Sequence, residues 1–268
     1  MYDNIIDAHC HIYPDPVAPR AVAAVKRFYD DPPVEPQDGT AGTLIRTGEA
    51  AGIRRFVVHS VATKPSQVES INGFIAASAA ASGGRFIGLG ALHPDAVDPE
   101  ADFRRLVALG LRGVKLHPDI QGFPVDDPRA MRLFGLCEAA GLPVCVHTGD
   151  SRFDFSNPNR VAKVLKAFPK LKFIGAHFGG WSVWDEAART LADYPNIVVD
   201  SSSTFYAFPP DRIRALIDVW TPDRILFGTD YPMWRQQPDI DCLLRLELPD
   251  ADYQKIFHDN AAALFGVA

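Results

Sequence analysis

Short runs rich in Val, Ile and Leu punctuate the chain, and between them lie stretches whose apolar positions repeat with helical spacing. The runs are IIDAHC (5–10), RFVVHS (55–60), RFIGLGAL (85–92), LRGVKLH (111–117), LPVCVHT (142–148), KFIGAHF (172–178), NIVVDSS (196–202) and RILFGTD (224–230). The intervening segments 66–81, 127–141, 157–169 and 210–220 read as amphipathic helices, and Gly110, Gly141 and Pro195 sit where helices should stop. A last stretch, DYQKIFHDNAAALFG (252–266), reads as a terminal helix packing on the outside. Eight strands alternating with helices predict parallel pairing and an α/β fold closed into a (β/α)8 TIM barrel. An open doubly wound sheet would carry a glycine-rich phosphate loop after its first strand, where this chain has His-Cys-His. All 268 residues are expected to form one domain. The insertion of about residues 12–50, with DDPPVEPQDGTAG inside it, reads as a surface loop placed to act as a lid.

Polar residues at the C-terminal ends of barrel strands face the active site, and this chain gathers them there. Strand one ends in His9-Cys10-His11, and the two-residue period of a strand turns both imidazoles to one side and Cys10 to the other. His59 ends strand two, Lys115 and His117 strand four, His147 strand five, His177 strand six, Asp200 strand seven and Asp230 strand eight. Closure of the barrel brings these ends around one axis. Imidazoles with one carboxylate suit Zn2+, with Mn2+, Fe2+ or Co2+ as alternatives. An aspartate touching both the ion and its water would serve as general base. His59 and His93 have no partner visible in the sequence and read as supporting residues.

Composition narrows the partners. A formal charge of −6 with scattered Lys and Arg provides no basic surface for nucleic acid or anionic membranes. No stretch approaches the roughly 20 apolar residues of a membrane span. Four cysteines without CxxC spacing fit a reducing compartment, and the opening MYDNIIDAHC has no signal-peptide pattern, so a cytoplasmic protein is expected. The partner is then a small molecule. Arg152 and Arg235 follow His147 and Asp230 closely, placed to clamp a substrate carboxylate. Trp181, Trp184, Phe205, Tyr206 and Trp234 fall in the loops after strands six to eight and would make an aromatic wall for a flat ring. Asp200 and the serines that follow it either bind substrate or cap the next helix.

DAHCHIYP (7–14), GVKLHP (113–118), VHTG (146–149), AHFGG (176–180), GTDYP (228–232) and the closing NAAALFG (260–266) together resemble the amidohydrolase superfamily. They are most similar to its amidohydrolase-2 branch of metal-dependent hydrolases and of decarboxylases related to aminocarboxymuconate-semialdehyde decarboxylase. The resemblance implies that His9, His11, His147 and Asp230 hold one divalent metal, usually zinc, with His177 beside it as acid/base. A second metal, held with Lys115, His117 or His177, is the less favoured arrangement. Homodimers are common in the branch, which makes a dimer the default expectation. The expected activity is hydrolysis of an ester, lactone or amide bond by a metal-activated water, on a small carboxylated or aromatic substrate. The first alternative is non-oxidative decarboxylation of an aromatic or unsaturated acid. A non-catalytic metal-binding barrel is the alternative from another class, disfavoured because Asp230 and His177 both stand beside the ligand set.

Overall fold

The computed structural model describes Tyr2 and residues 4–267. Its strands are β1 (Ile5–His11), β2 (Ile53–His59), β3 in two segments (Phe86–Gly88 and Gly90–Ala91), β4 (Val114–Leu116), β5 (Val144–Val146), β6 (Phe173–Gly175), β7 (Ile197–Asp200) and β8 (Ile225–Leu226). Every pairing is parallel and joins neighbours in chain order. The expected third strand breaks at Leu89, with its first half on β2 and its second on β4. Packing explains the break: a Cβ at Gly90 would lie 2.3 Å from Leu106 of the helix Pro99–Ala108, so only glycine lets that helix press so close. Leu89 N–H to Val58 O and Gly90 N–H to Gly113 O carry the ladder across it. The ends meet as well. Ala8 N–H donates to Phe227 O at 2.8 Å, His11 N–H to Tyr231 O at 2.7 Å, and Cys10 bridges to Tyr231 in parallel.

Two apolar layers follow from the strand alternation. Ile6, Ala8, Val57, Ile87, Leu89, Cys145, Ile174 and Leu226 fill the barrel's lower interior. Val114, Val144, Val146 and Val199 belong to an outer core with the buried faces of the helices Pro128–Ala140, Pro158–Ala167 and Pro210–Trp220. The C-terminal segment runs as a helix (Asp250–Gln254), a π turn (Lys255–Asp259) and a second helix (Asn260–Phe265). It differs from the expectation of an external helix, because Ala261, Ala262 and Phe265 pack into the interior cluster itself.

The insertion after β1 is not the plain loop its proline and glycine content suggests. It contains helix α1 (Ala18–Phe28) and helix α2 (Ala41–Ala50). Thr40 caps α2 by accepting from Thr43 N–H, and Gly48 lets α2 lie directly on Phe56 of β2, where a Cβ would come within 2.3 Å. Pro14 and Pro16 precede α1, Pro19 sits in its first turn where a proline is tolerated, and Pro32, Pro33, Pro36 and Gly39 fall between the two helices.

Candidate active site

The site begins with an irregularity in β1. Asp7 stands against Phe56 and Cys10 against Val58, so Ala8 and His9 together oppose the single Val57, as in a β-bulge. Ile6 and Ala8 fill the interior below the bulge, and His9 and His11 point into the barrel mouth above it. Cys10 faces the outer core and is fully buried. At the far end of the chain, Asp230 takes a left-handed backbone (φ 61°), as does His177 (φ 60°); such non-glycine residues concentrate at functional sites. Asp230 Oδ1 lies 3.5 Å from His9 Nε2 and 3.4 Å from His11 Nε2. One ligand atom from each of these three residues lies within 4.8 Å of the others. Burial alone would raise the Asp230 carboxyl, but His9, His11 and His177 around it hold it well below the usual carboxylate range.

Behind the front row stands a support that sequence reasoning left undefined. Asp200, fully buried, accepts from His9 Nδ1 at 2.9 Å. That fixes the His9 proton on Nδ1 and turns the Nε2 lone pair toward the site. The other Asp200 oxygen accepts from His177 N–H, Ser202 N–H and the Ser202 hydroxyl. Burial alone would raise the Asp200 carboxyl, but His9 first, then His177 and Ser202, hold it below the usual carboxylate range. Lys115, also buried, reaches His9 Nε2 at 3.0 Å. Its ammonium therefore uses the same lone pair that a metal ion would take. The imidazoles are neutral here, since burial first and Lys115 second push His9 down to about 4.

His147 sits differently from the other predicted ligands. Its Nε2 faces Gly149 O at 3.1 Å and its Nδ1 faces His177 Nε2 at 3.0 Å. Its ring stacks on His117 with centroids 3.9 Å apart, and its nitrogen groups with His117 and Asp119 instead of with His9, His11 and Asp230. His177 is tied through Nδ1 to Ser202. His59, whose two ring nitrogens have no hydrogen-bond partner among the described residues, packs edge-on to His9 and His11. The chemistry of the donor set fits a divalent ion: imidazole nitrogens and a carboxylate, buried, with a carboxylate orienting His9 from behind.

Two cavities meet at this cluster. The larger, about 770 Å3, runs from His9, His11, Lys115, His117 and Asp230 to an apolar wall formed by α1 and the helix Val68–Ala81. The smaller, about 340 Å3, is lined by Trp181, Tyr206, Trp234 and Pro32–Val34. Tyr29, His147, His177, Asp230 and Met233 line both. Tyr206 and Trp234 stack at 4.5 Å, and Trp181 donates to Tyr206 Oη, so these three form the expected aromatic wall. Trp184 packs on Phe208 instead, and Phe205 is buried in the outer core. Neither predicted arginine lines these two cavities. Arg152 makes a bidentate pair with Asp150, donates to Phe28 O and Asp30, and lies over the rings of Tyr29 and Trp181; Arg235 is exposed. Tyr29, absent from the sequence-based set, is present, and Ser203, one of the serines after Asp200, donates to Asp230 Oδ2 at 2.6 Å and in turn accepts from Trp234 Nε1.

Known structures share this architecture. An uncharacterized TIM-barrel protein from Bordetella bronchiseptica is 26% identical with a TM-score of 0.81, covering 98% of both chains. A dihydroxybenzoic acid decarboxylase from Polaromonas, solved with manganese and the inhibitor 2-nitroresorcinol, is 19% identical with a TM-score of 0.73, over 99% of this chain and 97% of that one. A candidate 2-pyrone-4,6-dicarboxylic acid hydrolase from Pseudomonas putida is 20% identical with a TM-score of 0.70, over 99% and 98%. The amidohydrolase family profile matches residues 6–267. With barrel, strand-end histidines and a match across nearly its whole length, the chain belongs to the amidohydrolase family.

Proposed function

We propose that the protein is a metal-dependent hydrolase that cleaves an ester, lactone or amide bond in a small substrate with an aromatic or largely apolar body. The observation that carries this reading is the convergence of His9 and His11 with Asp230 on the floor of a cavity, with His177 beside them. His9, His11 and Asp230 would hold one ion, and His147 would join them by turning its ring away from Gly149. Zn2+ is the proposed ion, and the manganese in the Polaromonas relative makes Mn2+ the first alternative. When bound, such an ion supplies Lewis acidity that polarises a carbonyl and acidifies a water.

The residues supply the rest. Asp230 is kept ionised, and Ser203 pins one of its oxygens, so the other is aimed to accept the proton of the attacking water. His177, whose Nδ1 donates to Ser202 O, lines both cavities and would take up a proton at Nε2, which now faces His147 Nδ1 at 3.0 Å, before passing it to the leaving group. The Trp181–Tyr206–Trp234 wall suits a flat ring. Arg20 of α1 lines the larger cavity, whereas Arg152 and Arg235 line neither. The insertion serves as a lid, since α1 walls the larger cavity. A cytoplasmic setting accompanies the proposal, because all four cysteines are free thiols. Decarboxylation is the second reading, favoured by the several decarboxylases among the structural relatives.

The test is metal-stripped protein reconstituted separately with Zn2+, Mn2+, Fe2+ and Co2+ and assayed on a panel of neutral aryl esters and lactones. Activity should vanish on chelation and return with an ion, and Asp230→Asn should lower kcat by about 100-fold or more while the fold persists. Full activity without metal overturns the proposal. Release of CO2 from a carboxylated aromatic, with no ester or lactone cleaved, transfers the assignment to the second reading.

A further inference from the structure

Tyr29 enters the site from the insertion, directly after the last residue of α1, and lines both cavities at their junction. Its Oη lies 2.9 Å from His117 Nε2. The direction of that hydrogen bond is set on the opposite side of the imidazole. There the backbone N–H of Ile120 points at His117 Nδ1 at 3.3 Å, because His117 caps the short helix Pro118–Gln121. A backbone N–H can only donate, so Nδ1 carries no proton. The neutral ring then bears its proton on Nε2 and donates it to Tyr29 Oη. The hydroxyl proton of Tyr29 itself is left over, with no protein acceptor among the described residues and a cavity on either side.

The phenol is also held in place. Its ring lies edge-on against Trp181 at 4.9 Å, the Arg152 guanidinium sits 5.0 Å over its face, and Arg152 Nη1 donates to the neighbouring Phe28 carbonyl. His117 is fixed in turn by its backbone N–H to Gln121 and by stacking on His147. A hydroxyl held this firmly, and already accepting a bond from behind, is a pre-organised donor.

We propose that Tyr29 is a further catalytic residue, whose O–H donates to the substrate oxygen that gains negative charge as the scissile carbonyl is attacked. This rests on the hydrolase reading and adds to it an oxyanion contact contributed by the insertion. Tyr29→Phe keeps the ring, and with it the contacts to Trp181 and Arg152, and removes only the hydroxyl. On an aryl ester turned over by the metal-loaded wild type, kcat should fall by about 100-fold, the usual loss for one oxyanion donor, with KM within about 2-fold. A purely structural role would move KM or Tm and leave kcat near wild type. Calorimetric binding of phenylphosphonate reads the same contact without turnover and should weaken by about 10-fold or more in Tyr29→Phe. Equal kcat and equal phosphonate affinity in the two proteins overturn the assignment and leave the hydrolase reading standing. If the wild type cleaves nothing in the panel, the hydrolase reading fails, and the phosphonate comparison alone decides for or against Tyr29 as an anion-facing donor.

Discussion

At the scale of single residues, the site depends on a carboxylate that touches no proposed substrate position. Asp200 accepts the Nδ1 proton of His9, 191 residues away in the chain, and so decides which His9 nitrogen faces the site. Asp200→Asn preserves the shape and removes the charge. We expect its affinity for a divalent ion, measured by competition with a chromophoric chelator, to drop about 10- to 100-fold with the fold intact. Unchanged affinity would show that His9 is oriented by something else. The paired histidines were legible because two imidazoles one residue apart on a strand must share a face, and Asp230 because it ends an apolar run. Asp200 was visible as a strand-end acid, but its partner was not, since nothing local connects it to His9. Tyr29 was hidden for a similar reason: a tyrosine beside DDPP in an insertion gives no hint that it packs between Trp181 and His117.

Among the elements, the strand rhythm was the legible part, and the insertion after β1 the illegible one. Eight apolar runs at barrel spacing became eight parallel strands, because each run buries one face in the barrel interior and the other under helices. The insertion was read as loop because its prolines and glycines stand out, yet Pro19 sits in the first turn of α1, where proline is tolerated, and Gly48 sits in α2, where it allows close packing on Phe56. Arg152 illustrates the same limit from the opposite side. Placed near His147, it reads as a substrate clamp, but Asp150 two residues earlier captures it, and the captured guanidinium fastens the end of α1 to the loop after β5. Arg152→Ala should therefore loosen α1 and, with it, the support of the Tyr29 ring. KM for the aryl ester should rise by roughly 3- to 10-fold and kcat should fall by a similar factor, less than in Tyr29→Phe, which loses the hydroxyl itself. Limited proteolysis should cut faster within residues 28–36. Unchanged cleavage and KM would mean that α1 holds its place without this tie.

For the molecule as a whole, the concentration of buried titratable groups sets how stability follows pH. Seven of the eight histidines (His9, His11, His59, His93, His117, His147 and His177) are shifted downward, each chiefly because burial disfavours the imidazolium. Each binds its proton more weakly folded than unfolded, so below about 6.5 the unfolded chain takes up protons that the native state refuses. Stability from this source is complete above that pH and declines toward the folded value, about 4 for His9. Asp7 and Asp119 oppose the trend. Burial lifts both to about 6, so the native state is the better proton acceptor between that value and the ordinary carboxylate range, and acidification favours folding through them. Asp239, raised well above its ordinary value by burial and by Asp7 and Asp230, acts in the same direction. Asp200 and Asp230, both held low, begin to matter only below about 4. Seven imidazoles outweigh three carboxyls between pH 6.5 and 5, and a bound divalent ion competes with protons for some of the same nitrogens, which steepens the fall. Tm followed by circular dichroism should therefore decrease from pH 7 to pH 5, more steeply in the metal-loaded protein than after chelation. A Tm that stays level or rises over that interval in the chelated protein would mean that the histidines at the barrel mouth are not held neutral by burial.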